Sequence, residues 1–325
     1  MRIALTLGDP NGIGPEVAVK AALHAAESEK GPVPVLVGDP RPVRHYLAQS
    51  AARVPVATRP EEWRDAGAVN LAPVAALAED AFSPGDVTAA AGAATIAYLR
   101  EAVRLLRAGA VGAILGGPHN ETAIAAAGIR FAGYPGLLAE LTGAGPDRVF
   151  LMLVGGGLRI VHATLHERLA DALQRLTPEL VVAAGEAAAG ALRAPGIADP
   201  RIGVFGINPH AGEGGLFGAD DARVTEPAVA ALRHAGLRAE GPAGADVMLA
   251  AREMDAYVAI FHDQGHIPVK LLAPRRAAAL SIGAGLLFSS VGHGSAMDIA
   301  GRGIADPAAV IDTLALLAGM GGPAP

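Results

Sequence analysis

Short apolar runs that end abruptly in polar, glycine-containing segments recur along this chain. The clearest is Tyr257–Phe261, whose residues suit a buried strand, and the polar segment His262–His266 follows it directly. Ile3–Leu7, Val111–Leu115 and Ile202–Ile207 have the same form. Loops at the ends of such strands carry ligands in α/β proteins because the sheet holds them rigidly. We therefore expect a functional loop at His262–His266, although a hydrated turn would have a similar sequence.

Helical patterns separate most of these strands. Pro40–Gln49, Pro178–Leu192 and Val224–Ala235 are predicted to be helices. Arg148–Val154 and Arg159–Ala163 are predicted to be paired strands, because three consecutive glycines between them suit a turn. Alternating strands and helices are typical of α/β proteins, and a chain of 325 residues is long for one core. We expect two α/β domains.

Composition narrows the class of protein. Aromatic residues make up only 4% of the chain, so small aliphatic residues do most of the packing, as in parallel α/β layers. The net charge of −6 leaves no basic excess, which argues against nucleic-acid binding. The absence of cysteine excludes disulfides and thiolate metal ligands. Neither a signal peptide nor an apolar run of about 18 residues is present, so we expect a soluble cytoplasmic enzyme without a membrane partner.

Three histidines follow predicted strands and have polar neighbours: His166, His210 and His262. The ends of parallel strands meet at one edge of a sheet, so these imidazoles could converge although they are far apart in the chain. Three imidazoles with an open fourth position are typical of catalytic zinc sites, but this spacing alone is not specific. His162 is expected to be less exposed than His166, because the alternating pattern places it within a strand.

Two further segments join a strand to a helix through glycines. Gly8–Glu16 could hold an anion or a cofactor on its backbone amides, although a tight strand-to-helix connection has the same appearance. It lacks the dinucleotide fingerprint G-x-G-x-x-G, so a Rossmann fold is unsupported. Gly116–Glu121 places His119 at a second junction of this kind.

Five motifs, in order, resemble the 4-hydroxythreonine-4-phosphate dehydrogenase family of pyridoxine biosynthesis: GDPNGIGPE, INPHAGEGGLFG, GPAGAD, FHDQGHIPVK and GHGSAMDIAGRGIADP. The resemblance covers essentially the whole chain. It implies the two-domain α/β fold of isocitrate and isopropylmalate dehydrogenases, with an interdomain cleft. Residues 1–122 plus 276–325 would form the dinucleotide side. Residues 123–275 would form the metal, substrate and dimer side of a homodimer with active sites at its interface.

The resemblance also assigns roles to individual positions. It places the divalent-metal ligands, expected to hold zinc, at His166, His210 and His262. Lys270 matches a substrate-contacting lysine, and Asp246 and Asp263 match nearby acidic positions. The loop expected at the adenosine side of NAD or NADP contains Gly292, His293, Gly294, Ser295 and Asp298.

This chain departs from the family pattern at the positions that bind phosphate. Tyr134-Pro135-Gly136 replaces a His-Thr-Glu segment, Glu121 replaces a lysine, Ala279 an asparagine and Phe288 an arginine. Cationic side chains are how proteins hold phosphate, so these exchanges predict a different substrate. We expect Tyr134, His119, Asn120, Phe288 and Lys270 to contact it.

Four longer stretches are most similar to a branch of terephthalate dihydrodiol dehydrogenases: PHNETAI, FAGYPGLLAELTG, FLMLVGGGLRIVHATLHE and LSIGAGLLFSSVGHGSAMDIAGRG. The resemblance implies metal-dependent oxidation of a β-hydroxy carboxylate by NAD or NADP, with loss of CO2. Lys270, Asp263 or Asp246 would move the proton. The alternatives are 4-hydroxythreonine-4-phosphate dehydrogenase, another hydroxy-acid dehydrogenase of this branch, and a catalytically silent metabolite-binding relative.

Overall fold

The protein is described here by a computed structural model covering residues 1–27, 30–50, 52–78, 80–131, 133–193, 196–274 and 277–319. The chain forms two compact units: unit 1 contains residues 1–137 and 288–319, and unit 2 contains residues 138–287. The predicted domain boundary between residues 275 and 276 lies outside the described residues. None of the helices in the described ranges is long and apolar enough to cross a membrane.

Strands and helices alternate through most of the described chain, as the sequence predicts for an α/β protein. The strands are β1 (Arg2–Thr6), β2 (Val33–Gly38), β3 (Val56–Ala57), β4 (Val69–Pro73), β5 (Ala113–Gly116), β6 (Phe150–Gly155), β7 (Leu158–His162), β8 (Arg201–Phe205), β9 (Arg238–Ala243), β10 (Ala256–Ala259), β11 (Ala278–Gly283) and β12 (Leu286–Ser290). The helices are α1 (Gly14–Ala26), α2 (Pro40–Gln49), α3 (Ala89–Arg107), α4 (Glu121–Ala126), α5 (Tyr134–Thr142), α6 (Leu169–Arg175), α7 (Pro178–Arg193), α8 (Asp220–Arg223), α9 (Thr225–His234), α10 (Ala245–Ala251), α11 (His262–Leu272) and α12 (Ala308–Gly319).

Unit 1 is built on a parallel sheet with the strand order β3-β4-β2-β1-β5-β12. Its central strands are buried along most of their length, and all six residues of β2 are buried. Helices cover both faces of a parallel sheet. The sequences of its strands are therefore continuous apolar runs, without the alternation of apolar and polar residues seen in half-exposed strands.

Unit 2 has a mixed sheet with the order β11-β6-β7-β10-β8-β9. β6 and β7 form the predicted antiparallel pair, and Gly156 and Gly157 at their turn have φ values of 60° and 77° that suit glycine. β7, β10, β8 and β9 are parallel neighbours. Phe205 and Tyr257 stack in the core beneath them, with ring centroids 5.5 Å apart.

The expectation of a loop at His262–His266 is wrong, because these residues form the first turns of α11. Phe261 has extended backbone at the N-cap position, so β10 passes into the helix almost at once. The carboxylate of Asp263 lies in the first turn, where the partial positive charge of the helix end favours it. The polar residues His262–His266 therefore mark the start of a helix, and their side chains project from α11.

Candidate active site

The three strands that precede the candidate metal ligands are adjacent in the sheet of unit 2. β10 lies between β7 and β8 and runs parallel to both, with Tyr257 opposite Ile160 and Val258 opposite Val204. His166, His262 and His210 follow β7, β10 and β8 respectively. The expectation that these three strand ends lie at one edge of the sheet is confirmed.

Side-chain hydrogen bonds tie these strand ends together. Thr164 Oγ1 donates to the carbonyl oxygen of Ile260 at 2.7 Å, which joins the segment before His166 to the end of β10. The Gln264 amide bonds in both directions: its Oε1 accepts from Ile260 N and its Nε2 donates to Gly206 O, each at 2.8 Å. One glutamine therefore connects the start of α11 to the segment that follows β8.

His166 and His262 lie close together, with ring centroids 5.5 Å apart. The Nδ1 of His262 donates to Asp263 Oδ1 at 2.7 Å, since a carboxylate only accepts. A neutral His262 therefore has its lone pair on Nε2, which is the form that binds a metal ion. Beside this pair opens a cavity of about 380 Å³ lined by Thr164, Leu165, His166, Glu167, Leu169, Ala172, Phe261, His262 and Asp263.

His210 is held differently from the other two. It is exposed, has a φ of 52°, and contacts Phe217 at a centroid distance of 6.2 Å. The buried carboxylate of Asp221 holds the segment before it, accepting from Ile207 N at 2.7 Å and Asn208 N at 3.0 Å. Among the residues that the structure describes, no three His, Asp or Glu side chains converge as a metal-ligand set. The ring of His210 neighbours Phe217, whereas the rings of His166 and His262 neighbour each other.

The remaining candidates of unit 2 lie on two helices. His262, His266 and Lys270 occur at intervals of four residues on α11, and this spacing places them on one helix face. Asp263 is 71% exposed, and Asp246 is exposed in the first turn of α10. Lys270 is also exposed, so all three candidate proton-transfer groups are open to solvent.

Two histidines that were not predicted as metal ligands, His162 and His266, join this cluster. The ring of His266 stacks on that of His262, with centroids 3.6 Å apart, and His162 lies 4.6 Å from His266. His162 is buried at the end of β7, whereas His166 is exposed, as the sequence predicts. Burial lowers the pKa of His162 to about 3 and that of His266 to about 4, so both rings are neutral at pH 7.

Unit 1 contains an aromatic cluster that includes Tyr134 and Phe288, two positions where this chain departs from the phosphate-binding pattern. The hydroxyl of Tyr134 and the Nδ1 of His119 are hydrogen-bonded at 3.0 Å, and Phe131 packs edge-on against both rings. Phe288 lies 4.5 Å from Tyr134, between centroids, and is almost fully buried. Burial lowers the pKa of His119, and Glu121 Oε1 lies 3.8 Å from its Nε2. The cluster presents neutral rings and a carboxylate.

The predicted dinucleotide loop, residues 292–298, has no regular secondary structure and packs on the N-terminal glycine loop of unit 1. The Ser295 carbonyl oxygen accepts from Ile13 N at 2.9 Å, and Asn120 Nδ2 donates to Ser295 Oγ at 3.4 Å. A Cβ at Gly12 would lie 2.7 Å from that same carbonyl oxygen, so only glycine allows this approach. Ser295 is buried, whereas Gly292, Gly294 and Asp298 are exposed and His293 is half-buried.

Comparison with known proteins identifies the family. The family model described as pyridoxal phosphate biosynthetic protein PdxA matches residues 30–317. The chain belongs to the PdxA family. The resemblance predicted from the motifs is therefore confirmed.

Three relatives show where in the family the chain lies. It is 49% identical over 316 residues to a 1,2-dihydroxy-3,5-cyclohexadiene-1,4-dicarboxylate dehydrogenase of Comamonas sp, covering 97% of this chain and 96% of that protein. A solved terephthalate 1,2-cis-dihydrodiol dehydrogenase of Burkholderia xenovorans LB400 is 52% identical, with a TM-score of 0.88 and coverage of 98% and 97%. A 4-hydroxythreonine-4-phosphate dehydrogenase of Burkholderia phymatum is 34% identical, with a TM-score of 0.86 and 98% of both chains covered.

Proposed function

We propose that this PdxA-family protein is an NAD(P)-linked dehydrogenase that converts terephthalate cis-dihydrodiol to protocatechuate and CO2. The observation that carries the proposal is an aromatic cluster in which Tyr134 and Phe288, at positions where the family pattern has polar or cationic groups, pack with His119. Identities of 49% and 52% to enzymes named for this dihydrodiol point the same way.

The cluster favours a flat, carbocyclic substrate over a phosphorylated one. A phosphate group needs cationic or N–H donors, whereas Glu121 adds a negative charge and Tyr134 is a neutral phenol whose pKa burial raises. The Tyr134 ring and its neighbour His119 would contact the substrate ring, with Asn120 beside them. Phe288 would support Tyr134 from behind, because its own side chain is almost fully buried.

We assign the divalent metal, expected to be zinc, to His166, His210 and His262. The donors fit such an ion in kind: Asp263 fixes the proton of His262 on Nδ1, His166 lies beside it, and His210 follows the adjacent strand. A bound divalent ion lowers the pKa of an alcohol and polarises the carbonyl group that forms from it.

The chain's own residues would bind the substrate and transfer the proton. Asp263 orients His262, and Lys270 lies on the same face of α11 as His262, so either Lys270 or Asp263 would accept the hydroxyl proton, with Asp246 as the third candidate. Residues 292–298 would position the adenosine side of NAD or NADP. NAD or NADP held there would accept the hydride from the substrate carbon, and loss of CO2 would then make the substrate ring aromatic.

The predicted isocitrate/isopropylmalate dehydrogenase-like architecture and the homodimer are part of the same proposal. The homodimer is supported by large apolar side chains exposed on unit 2, which include Leu216 at 72%, Ile267 at 53% and Leu271 at 77%. Exposed apolar side chains of this size are typical of interaction surfaces.

The test is NAD⁺ reduction by the purified protein with terephthalate cis-dihydrodiol and with 4-phosphohydroxy-L-threonine, each with and without a chelator. We expect chelator-sensitive turnover of the diol only. His210→Ala should abolish it, whereas the exposed His234→Ala on α9 should leave it unchanged. Turnover of the phosphorylated amino acid alone would overturn the substrate assignment, and activity insensitive to both chelator and His210→Ala would overturn the metal assignment.

A further inference from the structure

His162 and His266 form a hydrogen-bonded relay that begins at the backbone of β6. The Nδ1 of His162 lies 3.2 Å from the Leu151 carbonyl oxygen, and its Nε2 lies 3.0 Å from the Nδ1 of His266. A carbonyl oxygen only accepts, so the His162 proton is on Nδ1 and its Nε2 is an acceptor. His266 must then donate from Nδ1. The two contacts together determine the tautomers of both neutral rings.

The relay is built into the packing of α11. His162 is only 2% exposed, and a Cβ at Gly265 would lie 2.3 Å from its Nε2. Glycine in a helix interior is unfavourable by about 1 kcal/mol relative to alanine. The helix accepts Gly265 because any larger residue would push the His162 ring out of its place.

The far end of the relay is the ring of His262. His266 stacks on it with centroids 3.6 Å apart and an angle of 13° between the ring planes. A metal ion lies near the plane of each imidazole that binds it, and two nearly parallel, separated planes cannot both contain one ion. His266 therefore does not share a metal ion with His262. It restricts the rotation of that ring on one face, while Asp263 holds its Nδ1.

We propose that His266, oriented by His162, is a positioning residue that holds the His262 imidazole in its ligand-ready orientation. The role rests on the proposed function in one respect, namely that His262 is a metal ligand. The relay itself does not depend on that assignment, because its contacts lie within the protein. Partners that fix the tautomer and orientation of a ligand typically change metal affinity about 10–100-fold when removed.

The first experiment is nitrogen-15 NMR of histidine-labelled, metal-free protein, with His162→Leu and His266→Leu used to assign the signals. We expect Nδ1–H tautomers for both His162 and His266. An Nε2–H tautomer on His162 would overturn the relay.

The second experiment measures Zn²⁺ affinity by competition with a chromophoric chelator. We expect His266→Leu, His162→Leu and Gly265→Ala each to weaken Zn²⁺ binding about 10–100-fold. The double variant His162→Leu/His266→Leu should be no weaker than the single ones, because the two rings act as one unit. His45→Leu, an exposed histidine of α2, is the control and should bind as the wild type does.

The same set of variants distinguishes a loss of folding stability from a specific loss of Zn²⁺ affinity. Replacing both partners by apolar groups is close to neutral for stability, so the double variant should unfold near the wild-type temperature and still bind Zn²⁺ weakly. Affinity within twofold of wild type in His266→Leu, or additive losses in the double variant, would overturn this inference and leave the proposed function standing. A wild type that binds no Zn²⁺ would overturn the metal assignment, while the NMR result still decides the relay.

Discussion

At the scale of single residues, Asp9 is an acid buried in the N-terminal glycine loop. Its side chain is inaccessible, its Oδ1 accepts from Asn11 N at 2.9 Å, and its Oδ2 has no hydrogen-bond partner among the described residues. Burial raises the pKa of Asp9 from 3.8 to about 6. The folded protein therefore holds this proton at pH values where the unfolded chain has lost it.

This pKa predicts a pH dependence of stability. Because the raised value favours the protonated form in the folded state, the contribution of Asp9 is most favourable below pH 3.8 and declines as the pH rises to about 6. Above that, the ionised carboxylate costs about 3 kcal/mol. Asp9→Asn should remove this decline and raise the free energy of unfolding at pH 8. Denaturant unfolding across pH 4–8 measures this free energy. If it varied with pH in the same way in the wild type and in Asp9→Asn, the raised pKa of Asp9 would be contradicted.

Tyr134 offers a second prediction at this scale. Tyr134→Phe keeps the ring packed on Phe288 but removes the hydroxyl bonded to His119 Nδ1. We expect the KM for the dihydrodiol to rise about tenfold, since a lost hydrogen bond that leaves a partner unsatisfied costs about 1–3 kcal/mol. Steady-state kinetics test this.

Tyr46→Phe is the matched control, because its hydroxyl accepts from Gly301 N outside the aromatic cluster. It should leave the KM unchanged. An equal rise in both variants would mean that the effect is a general loss of stability in unit 1.

At the scale of elements, the junction between β10 and α11 depends on Gln264. Its amide bonds to Ile260 N and Gly206 O at 2.8 Å each, joining two strand ends that carry candidate ligands. Gln264→Ala should lower the free energy of unfolding by about 2 kcal/mol, because two backbone groups lose their partners. The loss should be accompanied by weaker Zn²⁺ binding.

The exposed Gln49, whose side chain is hydrogen-bonded to that of His45, provides the control for Gln264→Ala. Gln49→Ala should change the free energy of unfolding by less than about 0.5 kcal/mol. Denaturant titration measures the free energy of unfolding of both variants. Equal losses in the two variants would show that the Gln264 hydrogen bonds contribute nothing specific to stability.

At the scale of the whole molecule, the exposed face of α11 that carries Ile267 and Leu271 is the predicted interface of the proposed homodimer. Ile267 and Leu271 lie four residues apart on this helix and are 53% and 77% exposed, so they form an apolar pair on one exposed helix face. Leu271→Asp should convert the proposed homodimer to a monomer in size-exclusion chromatography with light scattering, because a carboxylate would be buried at the proposed interface.

Ile304→Asp serves as the control, since Ile304 is 64% exposed but belongs to unit 1. It should leave the proposed homodimer intact. A Leu271→Asp protein that keeps the wild-type mass would exclude this face of α11 from the interface.

Local patterns alone predicted much of the secondary structure. Helix α2 begins and ends where the sequence predicts, and the glycine turn between β6 and β7 is correctly placed. These features depend on neighbouring residues, whose periodicity and turn chemistry can be read directly. The polar run after β10 was misjudged, because a helix start and a loop share the same residue types and only packing separates them.

The sequence by itself determined the α/β class, the family and the set of histidines that follow strands, since each depends on local order or on whole motifs. Only the tertiary structure decided which histidines meet. It placed β10 between β7 and β8, paired His166 with His262, and stacked His266 on His262 through a contact with the buried His162. Strand order and the His162–His266 hydrogen bond join residues about 100 positions apart, and no periodicity along the chain encodes such contacts.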